Sequence, residues 1–122
     1  MVKQERYKTA VQSIWKGRAA ITVLEGALNP ANGRTEPTLR TLAEGVPCRL
    51  SYTTVKATEP SEGGAVAAQA VTLYTGPNLD IPEGSRVTVT QNGVTRDYER
   101  SGTPAVYIAH QEVPLQLFRG WA

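Results

Sequence analysis

The sequence predicts an all-β domain, a small antiparallel barrel or sandwich of about six or seven short strands with one short helix and one long loop. Three observations predict it. Eleven Gly and eight Pro among 122 residues supply many turns, which suits short strands better than long helices. Apolar residues recur at period two in several short runs, as half-buried strands require. Between two such runs stands Asn92-Gly93, the dipeptide that best tolerates the positive φ angles of a two-residue hairpin turn.

The elements follow in chain order. Tyr7, Val11, Ile14 and Trp15 share one helical face while Lys3, Glu5, Arg6 and Lys8 surround the other, so residues 1–17 read as an N-terminal arm or helix ended by Gly17. Ala19 to Leu24 reads as a strand with Ile21 and Val23 on one face. Leu28 to Pro37, with Asn29-Pro30 and Asn32-Gly33, reads as a loop, and strands follow near Leu39 to Ala43 and over Val46 to Tyr52.

The next stretch does not fit a sheet. Thr53, Thr54, Val55, Lys56, Ala57, Thr58, Glu59, Pro60, Ser61, Glu62, Gly63 and Gly64 carry almost no apolar pattern, and a run of about twelve such residues exceeds most connections inside a compact domain. It is the candidate functional loop. A tolerated surface insertion would have the same composition, because loop closure costs little more as length grows.

Gln69 to Thr75 reads as a strand, ended by Gly76-Pro77-Asn78, and Asn78 to Gly84 as a connecting turn. Residues 85 to 100 form the hairpin. Counting out from Asn92-Gly93 pairs Gln91 with Val94, Val89 with Arg96 and Val87 with Tyr98 on one side. On the other, Thr90 meets Thr95, Thr88 meets Asp97 and Arg86 meets Glu99. Val87, Val89, Val94 and Tyr98 thus face a core, with Arg96 the exception near an open end. Ser101-Gly102-Thr103-Pro104 is a further loop. The run Ala105 to Phe118 then places Val113, Leu115 and Leu117 at period two, with Pro114 implying an edge or a bulge.

Composition excludes several chemistries. A net charge of +2 from thirteen basic and eleven acidic residues comes without the basic run that marks a nucleic-acid surface. One Cys and one His leave no disulfide framework and no zinc-ligand set. No cofactor loop is present either, since Glu62-Gly63-Gly64-Ala65 lacks phosphate-loop spacing and the following lysine. His110 has no Ser or Cys neighbourhood to make it a catalytic base, and Cys48 reads as a small buried hydrophobe. The pairs Asp80 with Glu83 and Asp97 with Glu99 read as solvated charges. The expectation is a protein without enzymatic activity. With no apolar N-terminal run and no stretch of membrane-spanning length, the chain is expected in the cytosol when made, with no membrane partner.

Four stretches together resemble a known family. They are Gly45-Val46-Pro47-Cys48-Arg49-Leu50-Ser51-Tyr52; Leu73-Tyr74 followed by Asp80-Ile81-Pro82-Glu83-Gly84-Ser85; Val87-Thr88-Val89-Thr90-Gln91-Asn92-Gly93; and Tyr107-Ile108-Ala109-His110-Gln111-Glu112-Val113. In this order they look like the head-closure, or head-completion, proteins of tailed bacteriophages and defective prophages of Gram-positive bacteria. The resemblance covers about Ile14 to Ala122 and is most specific from Leu73 onward.

It implies one β-barrel domain over residues 1–122 and a structural role in the virion. Such a protein assembles as a ring, a dodecamer in the family, beneath the portal and adaptor in the host cytoplasm, and stays at the head-to-tail interface. There it seals the packaged DNA and offers a docking surface to the tail or its terminator. In the family a long loop between two strands closes the channel, and Thr53 to Gly64 lies where that loop would fall. Twelve extended residues doubling back project by about 20 Å, enough for a ring of them to obstruct a DNA-sized channel and touch DNA non-specifically. A tail-terminator ring protein and a single-stranded nucleic-acid-binding barrel, using tyrosines such as Tyr52, Tyr74, Tyr98 and Tyr107, are the alternatives.

Overall fold

The computed structural model describes residues 15–56 and 67–121, and every regular element among them is a β-strand. The strands are β1 (Gly17–Asn29), β2 (Arg34–Lys56), β3 (Ala67–Thr75), β4 (Arg86–Gln91), β5 (Val94–Arg100), β6 (Ala105–Val106) and β7 (Gln111–Leu117). All pair antiparallel, in the order β3-β2-β1-β4-β5-β7-β6. A further pairing of β3 with β7 joins six of the strands into a closed hydrogen-bonded ring.

The ring forms because each strand turns alternate side chains inward. Ile21, Leu73, Val87, Val89, Tyr98 and Val113 are all buried there, with Ala19, Cys48, Leu50 and Leu115. Ile81, on the connection between β3 and β4, plugs the same core. Two side chains hold that connection in place. Buried Gln111 donates through Nε2 to the Gly76 and Leu79 carbonyls, each at 2.7 Å, and the Ser85 hydroxyl donates to the Pro82 carbonyl at 2.6 Å.

The hairpin of β4 and β5 has the expected register, from Gln91 opposite Val94 to Val87 opposite Tyr98. Asn92 and Gly93 take φ of 54° and 76°, the left-handed pair that a tight turn between right-twisted strands needs. Its outer face is as expected for Thr90 and Thr95, whose hydroxyls share a 2.7 Å bond. Val94 departs from the expectation and is exposed, since it sits at the turn beyond the core. Glu99 also departs. It accepts from Gln116 Nε2 and Arg119 Nε rather than meeting Arg86, whose guanidinium lies over the Trp121 ring.

Several expected boundaries are corrected. Gly17 opens β1 rather than ending a helix, and the expected helical residues 1–14 lie outside the described residues. The expected loop from Leu28 to Pro37 shrinks to the turn at residues 30–33. The cause is local: the Asn29 and Asn32 side chains accept from the Ala31 and Arg34 amides, closing the chain within one tight turn. Pro37 then sits within β2 opposite Gly26, a site a proline tolerates on an edge.

The strands expected at Leu39 to Ala43 and Val46 to Tyr52 are one continuous strand of 23 residues. Register shifts between Ala19 and Thr22 let it continue, and Gly45 there takes φ of 65°, a left-handed position that suits glycine in a bulge. Pro114 lies in β7 between two neighbours. Its carbonyl accepts from Ser101 N, where the Ser101–Pro104 break separates β5 from β6, so the ladder there is already interrupted.

Candidate functional site

Strand β2 outruns one neighbour at each end, β3 at the start and β1 at the finish. Its pairing with β1 stops at Gly17 opposite Cys48, yet it continues beside β3 as far as Lys56 opposite Ala67. Because β3 meets β7 only from Val71 onward, Thr53–Lys56 and Ala67–Ala70 form the stem of a two-stranded ribbon leaving the ring. This corrects the candidate loop. Thr53, Thr54, Val55 and Lys56 are strand residues paired with Ala70, Gln69, Ala68 and Ala67. Threonines and a valine favour extended backbone, and an adjacent strand was there to pair with them. Ala57, Thr58, Glu59, Pro60, Ser61, Glu62, Gly63 and Gly64 lie outside the described residues.

The root of this ribbon is tied down by one side chain. At Leu50, where β1 has already ended, Gln91 Oε1 accepts from the Leu50 amide at 2.8 Å and Gln91 Nε2 donates to the Leu50 carbonyl at 3.3 Å. A carboxamide thus stands in for the missing peptide of β1. Gly17 makes room for it, since a Cβ there would meet Cys48 O at 3.0 Å and Gln91 Oε1 at 3.3 Å. Two residue pairs away, Tyr52 reaches inward and its hydroxyl lies 3.4 Å from that of buried Tyr98. Burial, and then the Tyr52 contact, push the Tyr98 phenol up to about 12.

At the other end, β1 pairs with β4 only as far as Thr22 opposite Arg86. Val23–Asn29 and Arg34–Arg40 therefore form a second ribbon, here called the arm. Its register places Leu24 opposite Leu39, Gly26 opposite Pro37 and Leu28 opposite Thr35 on one face. Arg40, Glu25, Thr38 and Glu36 share the other with Val23 and Ala27, and there Glu25 and Arg40 pair at 2.8 Å. The arm's tip is built. Glu36 accepts from Asn32 Nδ2 at 3.0 Å and Asn29 Nδ2 at 3.2 Å, and these bonds, Asn32 first, hold its carboxyl below the usual range.

His110 stands in a stack of rings. Its ring lies 4.8 Å from that of Tyr107 and 6.1 Å from that of Tyr74, with Arg49 over the far ring at 5.7 Å. Its Nε2 lies 3.0 Å from a Glu112 carboxylate oxygen. Cys48 is fully buried, and that burial pushes its thiol up to about 11. Among the described residues no three His, Cys, Asp or Glu side chains gather as metal ligands would. An open cleft of about 380 Å³ lies between Glu83–Ser85 and Gly120–Trp121, with Val23 and Leu24 in its lining; of its two acids, Glu99 is engaged by Arg119 and Gln116.

The sequence marks Thr53 to Gly64 as a loop, of which Thr53–Lys56 are strand and the rest lies outside the described residues, and it does not predict the arm. Its signal is Leu24 and Leu28, an even number of residues apart, with Leu39 beyond them, but Asn29-Pro30 and Asn32-Gly33 also fit a single long loop. The Tyr74 and His110 contact had no local signal.

No family model matches the chain, and no curated protein does. A solved structure described as the phage-like element PBSX protein xkdH from Bacillus subtilis is similar in fold. The likeness covers 82% of this chain and 91% of that one at 13% identity and a TM-score of 0.48. So distant a likeness carries no argument about function.

Proposed function

We propose that the chain is a structural head-completion protein of a tailed phage or prophage, without enzymatic activity. Its strand ring is then a small barrel, and copies of it form a ring below the portal and adaptor. Residues 57–64, carried on the β2 and β3 stem, close the DNA channel, and the assembled ring offers the tail a docking surface. The observation that carries this reading is the rooted ribbon. A segment that obstructs a channel needs a stiff support reaching away from the body, and the stem with its Gln91 and Leu50 tie supplies one. The four family-like stretches support it independently.

The stem also refines the gate, which starts after Lys56. Its four residue pairs add roughly 13 Å of reach at 3.3 Å per residue, so fewer than twelve loop residues suffice to span a channel. The test adds the purified protein to the portal and adaptor complex encoded with it, then measures DNA retention in particles whose copies have residues 57–64 replaced by Gly-Ser. Binding with lost retention is expected. Absence of binding, or full retention in particles lacking the protein, overturns the proposal.

A further inference from the structure

The arm is a surface without a cover. Beyond Thr22 it pairs with no strand but its own partner among the described residues; Leu24 at its base lines the cleft beside Trp121 and is 38% exposed, while Leu39 and Leu28 further out on the apolar face are 51% and 69% exposed. A two-stranded ribbon alone is marginally stable in water, and its exposed leucines gain from further burial. Yet its tip is held in one shape by Glu36, Asn29 and Asn32. Such a shape is specified for a partner.

A second uncovered apolar surface lies on the turn joining β6 to β7, where Val106, Tyr107 and Ile108 are 62%, 52% and 67% exposed. In the ring of strands β7 is three steps from β1 in either direction, through β4 and β5 or through β2 and β3. The two surfaces therefore rise from opposite walls of one molecule.

We propose that the leucine face of the arm docks on the wall around the β6 and β7 turn of a second copy of this chain. Area decides against the simplest alternative. Seven residues at about 3.4 Å, across two strands about 5 Å apart, give the arm face roughly 240 Å², against about 800 Å² per partner in a stable interface. Two arms stacked leucine to leucine fall short by about threefold. An arm laid along a neighbour's wall covers its apolar face and its open edges together. Because the joined surfaces are unlike, every added copy leaves one of each free, and the contact propagates into a ring or a filament. The inference rests on the ring reading above and names its contact.

Thiol crosslinking across a concentration series tests it, since fully buried Cys48 stays out of reach. Leu28→Cys and Ile108→Cys are prepared separately, with Thr95→Cys as an exposed control, and thermal melts verify that each folds as the parent does. The mixture of L28C and I108C is expected to form at least about tenfold more disulfide dimer than either alone, because docking raises the local thiol concentration. The double variant is expected to give a ladder of multimers. Self-crosslinking of L28C above the mixture overturns the proposal in favour of paired arms. Mixed crosslinking no higher than the control overturns it in favour of a different partner. A chain that crosslinks 28 to 108 but binds no portal and adaptor complex keeps the contact and loses the head-completion role, and the opposite result loses only the contact.

Discussion

At Leu50 the β1 partner of β2 has already ended, and the Gln91 carboxamide takes its place with one donated and one accepted hydrogen bond. Removing it strands two backbone groups at a position that is 5% exposed. Gln91→Ala is therefore expected to cost about 1–3 kcal/mol, measured by urea unfolding, with faster amide exchange at Leu50 and along the ribbon stem. Cys48 makes a second prediction. Its folded thiol titrates near 11 against an ordinary 9.0, so its contribution to stability is complete below pH 9 and is lost as pH rises through 11. Cys48→Val should flatten that part of the alkaline unfolding curve and leave the loss from Tyr98, which follows at higher pH. The role of Cys48 was legible because a small apolar residue at the start of an apolar strand has one ordinary place. That of Gln91 was not. Its partner lies 41 residues away, and only closure of the ring brings the two together.

Elements were legible in proportion to how locally they are determined. The β4 and β5 hairpin could be read to the residue because Asn92-Gly93 sets both the turn and the register. Strand β2 could not, because its length depends on bulges and on neighbours supplied from far along the chain. The Gly45 bulge lets one strand cross what looks like a turn signal. The arm was hidden for a related reason: side-chain caps by Asn29 and Asn32 compress its connection into a few residues. Those caps meet at Glu36, whose lowered carboxyl pKa comes from the two asparagine bonds. A depressed acid contributes stability above its unfolded pKa and loses it as pH falls through the folded value. Acid below the carboxylate range, or Glu36→Ala at neutral pH, is expected to speed hydrogen exchange over residues 29–36 and leave the ring protected. Uniform loss of protection would contradict a locally built tip.

For the whole molecule the decisive pairing is the one between β3 and β7, which turns an open sheet into a ring. Leu73 opposite Val113 lies at that seam, and both side chains are fully buried. Leu73→Ala is expected to destabilise by about 2–5 kcal/mol, with both ribbons and the seam losing protection together in hydrogen exchange. Loss confined to β3 would mean that the ring does not unfold as one unit. Alternation and turn signals announced an all-β chain of several short strands, but closure follows from pairings between distant segments. The seven strands among the described residues agree with the expected number, although two expected strands merged and β6 is a two-residue addition.

Both ribbons share β2, and this gives the molecule a mechanical property. From the arm tip to the outer end of the β2 and β3 stem, one backbone of 23 residues runs through the ring, with a contour of roughly 75 Å at 3.3 Å per residue. A pull on the arm is borne along covalent bonds and in shear by the hydrogen bonds on either side of the strand, without passing through a loop that could yield. Tension applied at one end of the molecule therefore reaches the other as displacement.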